Sequence, residues 1–344
     1  MPQSTAKPTA SRKLPGKLII QAGKWVWTTM WQIMMSQLAP RDRSGAYIRP
    51  ASQFRDRISP DSSHPPEADR YSLIVGMGCP WAHRTLVVRA LKGLETVISV
   101  AIAQPDPIAG GWVFEKEMEG CRTLAELYAL AKSDYRGRST VPVLWDRQKK
   151  AIVNNESAEI IVMLNAEFNE FAAHSAIDLY PDEGRESIDR WNEKIYHAVN
   201  NGVYRCGFAQ TQTAYEQACN QLFETLDEID AVLTENRYLC GDRVTLADVR
   251  LFTTLFRFDA VYFGLFKCNR RRIQDYVNLG AYLRDLYQLP GVAEICDLET
   301  VKRDYYGSLF PLNPGGIIPL GIEMNLSEPH DRSRLSQSFK PVDA

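Results

Sequence analysis

Apolar and polar positions follow two different rhythms along the chain, and the change falls near residue 171. From Tyr71 onward the short apolar runs YSLIVGM, VISVAIA, VPVLWD and AIVN are separated by segments of helical spacing, PWAHRTLVVRALKGL, LAELYALA and ESAEIIVMLNAEF. Strand and helix in this alternation predict an α/β unit around a small central sheet. After Phe171 the strand signals nearly vanish. Apolar residues three and four apart around 188–199, 215–233, 246–263 and 279–289 predict a helical bundle instead. The expected division is an extension and connector over 1–70, the α/β domain over 71–170, an all-helical domain over 171–322 and a polar tail over 323–344. Two domains also suit 344 residues, at about 100 to 200 residues each.

Three stretches stand apart from this pattern. GDRVTLADVRLF sets Thr245 three residues before Asp248, a capping box that starts a buried helix. Residues 41–70 are polar and rich in Pro, Ser and Asp, the signature of an irregular connector on the surface. Residues 17–38 carry Trp25, Trp27, Trp31, Met34 and Met35, but Gln21, Lys24, Gln32 and Ser36 interrupt them. That is too broken for the roughly 18 apolar residues of a membrane span. It is also too sticky for a solvated helix, so it should bury against its own body, a partner chain or a membrane interface, self-docking being the expectation.

Charge narrows the partners. Forty basic side chains against 42 acidic ones leave a net charge of −2, which gives no electrostatic case for nucleic acid or for an anionic membrane surface. Seven cysteines at irregular spacings, behind a start MPQSTAKPTASRK with no apolar h-region, fit free thiols in a reducing cytoplasm.

One of those thiols stands in a distinctive place. In IVGMGCPWAHR, residues 74–84, Cys79 follows a predicted buried strand and precedes Pro80, a residue favoured in the first turn of a helix because its missing N–H costs nothing there. A thiol at a helix N-terminus faces unpaired backbone N–H groups and the positive end of the helix dipole, which favour the thiolate at neutral pH. The position of a second redox cysteine is Ala82, so a mixed disulfide at Cys79 must be resolved by a thiol from solution. The alternative is a buried structural cysteine, the reading that suits Cys219 and Cys296 within helical patterns. Cys79 and His83 could share a helix face, but no four-ligand set of zinc-like spacing accompanies them, and no metal is expected; His83 reads as a packing or hydrogen-bonding residue.

CPWAHR after a strand, GGWVF at 110–114, GRSTVPVLWD at 137–146, NNESAEII at 154–161 and NNGVYRCGFA at 200–209 together resemble the glutathionyl-hydroquinone reductases, the Xi class of glutathione transferases. The upstream YIRPASQFRD and the late YYGSLFPLNPGGIIPLG are similar to the same family, so the likeness runs from about Gly45 to Gly321. It implies a thioredoxin-like N-terminal domain, an all-helical C-terminal glutathione transferase domain, glutathione as co-substrate, quinone-derived aromatic acceptors and a homodimer.

The resemblance also implies roles for residues. Cys79 would be the nucleophile. Pro142, preceded by a cis bond in the family, would leave Val141 to pair through its backbone with the cysteinyl part of glutathione. Glu156 and Ser157 open a helix that suits the γ-glutamyl ammonium and carboxylate, and Trp112 would cover the tripeptide. Tyr204 and Tyr305 match phenols that serve the aromatic acceptor, with Tyr306 adjacent and easily confused with Tyr305. Where the family tends to carry an arginine in a pattern like LRDVY, this chain has LAELY with Ala125, and Arg122 is the candidate substitute. Two other readings share Cys79: an Omega-like thiol transferase or dehydroascorbate reductase, and a noncatalytic binding protein on the same fold.

Overall fold

The computed structural model describes residues 15–336 apart from 107 and 109. A long helix, α1 (Gly16–Leu38), comes first and the connector follows it. The sheet then forms from β1 (Tyr71–Val75), β2 (Ser99–Pro105), β3 (Trp112–Met118), β4 (Cys121–Thr123), β5 (Val143–Asp146) and β6 (Ala151–Asn154). The helices α2 (Pro80–Leu91), α3 (Leu124–Ala131) and α4 (Ser157–Ala166) lie between and after these strands.

In space the strands run β4-β3-β2-β1-β5-β6. Strand β1 pairs parallel to β2, with Leu73 opposite Val100, and antiparallel to β5, with Leu73 opposite Leu144. Strands β1 and β5 are buried at every residue, which is why YSLIV and VLW read as nearly unbroken apolar runs. Strands β3 and β4 escaped the sequence reading because they lie at one side of the sheet: WVFEKEM buries little beyond Phe114 and carries no clean alternation.

The connector does more than cross the surface. Asp56 N–H donates to Val153 at 3.0 Å and Asn155 N–H to Phe54 at 3.1 Å, so the segment around 54–56 lies along β6. Farther on, Arg70 and His64 both close on the buried carboxylate of Asp146, at 2.7 and 2.8 Å.

The second half is helical: α5 (Arg185–Ile195), α6 (Gly202–Gly207), α7 (Gln212–Val232), α8 (Leu246–Arg257), α9 (Leu279–Tyr287) and α10 (Leu298–Ser308). Thr245 and Asp248 form the expected box at the head of α8, the carboxylate accepting the Thr245 N–H at 2.8 Å. The same carboxylate takes the hydroxyl of Tyr282 at 2.7 Å, tying α8 to α9. Two single-turn π segments, Tyr196–Asn200 and Phe258–Tyr262, continue α5 and α8 where the sequence suggested unbroken helix. Such bulges are frequent at functional sites; here the first precedes Tyr204 and the second ends on Tyr262.

The end of the described chain is docked. Arg332 is buried, and its guanidinium donates to the carbonyls of Leu233 and Arg237 at 3.0 and 2.9 Å. Helix α1 departs from expectation. Met35 is its one buried residue, and Trp31 donates from Nε1 to Pro311 O at 3.2 Å, but Leu18, Ile19, Trp25, Val26, Met30 and Ile33 are exposed. Self-docking is confined to its last turns.

Candidate active site

The loop 76–79, between β1 and α2, is held from both halves of the molecule. Its two glycines have separate reasons. A Cβ at Gly76 would stand 2.2 Å from the Trp112 ring, and one at Gly78 would stand 2.6 Å from Asp304 Oδ2. The first glycine lets the indole of β3 lie on the loop; the second lets Gly78 N–H donate to Asp304 of α10 at 3.1 Å. From α8, Arg257 donates to Gly78 O at 2.9 Å, to Met77 O at 2.8 Å, and from Nη1 to His83 Nδ1 at 2.9 Å. His83 is buried, and burial together with that guanidinium pushes its pKa well below the usual imidazole value. It is therefore a neutral acceptor at Nδ1, with its proton on Nε2.

Cys79 is the N-cap of α2 and Pro80 its first residue, as the sequence suggested. The sulfur is half-buried, and its thiol points to Val141 O at 3.7 Å. The electrostatic expectation is reversed. Burial pushes the Cys79 thiol up from its ordinary value, outweighing the backbone N–H groups of Ala82 and Trp81 and the guanidiniums of Arg49 and Arg257, which pull it down.

Around the thiol lies a cavity of about 840 Å³. Trp112, Val141, Pro142, Glu156 and Ser157 line it on the sheet side, and the Val141–Pro142 bond is cis. Glu156 caps α4 by accepting the Ala158 N–H at 3.1 Å and also accepts from Ser52 Oγ at 2.9 Å. Ser157 is buried beneath it, within 3.4 Å of Arg84 Nη1.

Tyr204 and Tyr305 line the helical side, their hydroxyls 2.5 Å apart, and Tyr262 stands 2.9 Å behind Tyr305. Burial raises all three phenols, Tyr204 and Tyr305 well above the ordinary value and Tyr262 to about 12, so each keeps its proton through the neutral range. Tyr306 turns elsewhere, its hydroxyl 3.4 Å from Ala260 O.

Arg122 is the one candidate that does not join the group. It sits on β4 with an exposed side chain, 3.4 Å from Glu117, and is not part of the cavity wall. Its guanidinium instead pairs with a carboxylate of the neighbouring strand β3 at the solvent-exposed side of the sheet. Ala125 does line the cavity, as do Arg136 and Arg138, which approach from the loop before Val141.

Residues 78–167 match the family profile of the glutathione S-transferase N-terminal domain, and residues 212–285 that of its C-terminal domain. The chain is 43% identical over 323 residues to glutathionyl-hydroquinone reductase YqjG of Escherichia coli, covering 89% of this chain and 96% of that one. It is 45% identical over 303 residues to glutathionyl-hydroquinone reductase PcpF of Sphingobium chlorophenolicum, covering 86% and 94%. This chain belongs to the glutathionyl-hydroquinone reductases, the Xi class of glutathione transferases. Among solved structures, the Xi-class enzyme of Natrialba magadii superposes with a TM-score of 0.79 at 46% identity, over 83% of this chain and 90% of that one. The glutathione-bound structure of Escherichia coli YqjG gives 0.78 at 44%, over 82% and 96%.

Within this Xi-class fold, several site residues had no local signal. Arg49 reaches the cavity from the connector and lies 3.9 Å from the Trp81 ring centroid, with Arg84 at 4.4 Å. The polar composition of 41–70 marked the segment as a surface loop and hid that its start enters the site. Tyr262 and Arg257 looked like ordinary positions of an amphipathic helix.

Proposed function

We propose that this chain catalyses the glutathione-dependent reductive removal of glutathione from glutathionyl-hydroquinones. The observation that carries the reading is the pairing, across one cavity, of a helix-capping thiol with two phenol hydroxyls 2.5 Å apart. Glutathione would lie along the sheet side. Backbone groups of Val141 suit its cysteinyl part, the start of α4 with Ser157 suits the γ-glutamyl carboxylate, and Glu156 suits the ammonium. Trp112, seated on Gly76, would close over the tripeptide.

In the first half-reaction the thiolate of Cys79 attacks the sulfur of the thioether. An S–S bond forms and the C–S bond breaks. Carbon leaves poorly unless the ring is first in its keto tautomer, with a proton on the carbon that bears sulfur; the electron pair then passes to the ring oxygen, which becomes a phenolate. Tyr204 and Tyr305, both kept protonated by burial, are suited to donate to that oxygen. A proton completes the hydroquinone. A second glutathione, as thiolate, attacks the mixed disulfide, restores Cys79 and leaves as oxidised glutathione. The ring is reduced by two electrons, and two glutathione sulfurs are oxidised.

The proposed setting is a reducing compartment such as the cytoplasm, supported by seven free cysteines. The assembly is proposed to be a homodimer, on family resemblance, with domain limits at 71–170 and 171–322. Single turnover tests the chemistry. Mixing the protein with a glutathionyl-hydroquinone in the absence of free glutathione should release one hydroquinone per chain and leave one glutathione on Cys79, read by intact mass and peptide mapping. Hydroquinone release without that adduct would overturn the covalent route, and reduction of glutathione mixed disulfides alone would favour the Omega-like reading.

A further inference from the structure

Among the described residues, nothing covers one surface of helix α1. Leu18, Ala22, Val26, Met30 and Ile33 recur at four, four, four and three residues, so they form one stripe along a rod of about 35 Å. Trp25 and Ile19 flank the stripe. Exposure is high throughout, 71% for Trp25 and 60% for Ile33. The opposite side carries Lys17, Gln21, Lys24 and Thr28 in the first half and the docking residues Trp31, Met35 and Leu38 in the second. The helix is thus fixed by its C-terminal turns while its apolar stripe faces outward.

Charge says what fits there. The near-neutral balance of the whole chain conceals a local excess: Lys7, Arg12, Lys13, Lys17, Lys24 and Arg41 all precede Asp42, which is the first acidic residue. An anionic bilayer offers both an apolar layer for the stripe and opposite charge for this acid-free basic flank. No described helix is long and apolar enough to cross a membrane. Tryptophan and a basic, acid-free flank are what an interface-lying helix uses.

We propose that α1 is an interfacial anchor that seats the protein on an anionic lipid surface. Its position gives the anchor a use. Leu38, the last residue of α1, and Leu309, which follows α10, both line the catalytic cavity. The segment beyond α10 exposes Phe310, Ile317 and Leu320, and its Pro311 carbonyl accepts the Trp31 indole N–H. Attachment along α1 therefore holds the cavity, whose wall includes Leu38, near the bilayer surface, where apolar aromatic compounds concentrate. That benefit rests on the function proposed above; attachment itself does not.

Flotation of the full chain with vesicles tests it, using phosphatidylcholine with phosphatidylserine against phosphatidylcholine alone. Binding to the anionic vesicles only, weakened by salt and accompanied by a blue shift of tryptophan emission, is expected. Lys17→Glu with Lys24→Glu should lower partitioning by about tenfold or more, and Val26→Ser with Ile33→Ser should abolish it. Turnover of a water-soluble substrate should stay unchanged in both variants, which also shows that they fold. No flotation with either vesicle, or equal flotation with both, would overturn the proposal. So would loss of a dimer in the Val26→Ser, Ile33→Ser variant without any lipid binding, since that assigns the stripe to a second copy.

Discussion

On the sheet side of the cavity, Cys79, Glu156 and Ser157 sit where a helix begins and Val141 just before strand β5, and much of what they offer is backbone or helix-terminal. On the helical side Tyr204, Tyr262 and Tyr305 lie on three separate elements, 43 to 101 residues apart for the pairs that touch, and offer only side-chain hydroxyls. Backbone groups recognise a peptide whatever side chains surround them, so the first wall suits a constant partner, glutathione. Side-chain donors can be exchanged without disturbing the fold, so the second wall suits the acceptor that varies.

Breaking the shared element should cost most. Cys79→Ser is expected to lower turnover by at least about a thousandfold on a glutathionyl-hydroquinone and on a glutathione mixed disulfide alike, because an alcohol there stays protonated. Thermal unfolding should hardly move. Retained turnover on either substrate would separate the walls further than proposed here. The clamp between the halves comes next. Arg257→Met leaves the carbonyls of Met77 and Gly78 and the imidazole of His83 without their donor, a loss of about 3 kcal/mol or more in stability. It should lower the melting temperature and reduce activity on both substrates in equal proportion.

The pH profile yields a smaller, directional effect. Because burial raises the Cys79 thiol, the reactive thiolate is the minor form at neutral pH. Single-turnover rates should then climb with pH, by about tenfold per unit while the thiol remains mostly protonated. A rate flat from acid to alkaline pH would mean that the thiolate is already formed. Smallest is Ala125→Arg. It should lower the KM for glutathione by about tenfold, the lower end of the worth of one charge-assisted hydrogen bond. Arg136 and Arg138 already bring guanidinium charge to the same cavity.

This contrast also explains what could be read from the sequence. The buried strands, the thiol before Pro80 and the cap at Glu156 and Ser157 are local patterns, and local backbone chemistry writes them into a few adjacent residues. Tyr204 and Tyr305 came only through resemblance, because a tyrosine on a helix does not state which way it faces. Tyr262 and Arg257 were silent: a π turn and a packing between halves bring them to the site, and neither leaves a short-range mark. Arg122 shows the converse error. It lies within a helical turn of Ala125 in sequence, yet the chain is still in strand β4 there, so helical spacing does not apply and the side chain pairs with Glu117 in solvent. The raised thiol shows a limit of another kind. A helix N-terminus is visible in sequence, but the depth of burial that opposes it is not.

The division of labour between the walls is tested most directly by Tyr204→Phe combined with Tyr305→Phe, which removes two donors and keeps both rings. The measurement is kcat/KM on a glutathionyl-hydroquinone and, in the same preparation, on a small glutathione mixed disulfide. The expected result is a loss of about ten- to a thousandfold on the first, with the second, whose leaving thiolate needs no phenol, nearly unchanged. Equal losses on both substrates, or no loss on either, would contradict the account.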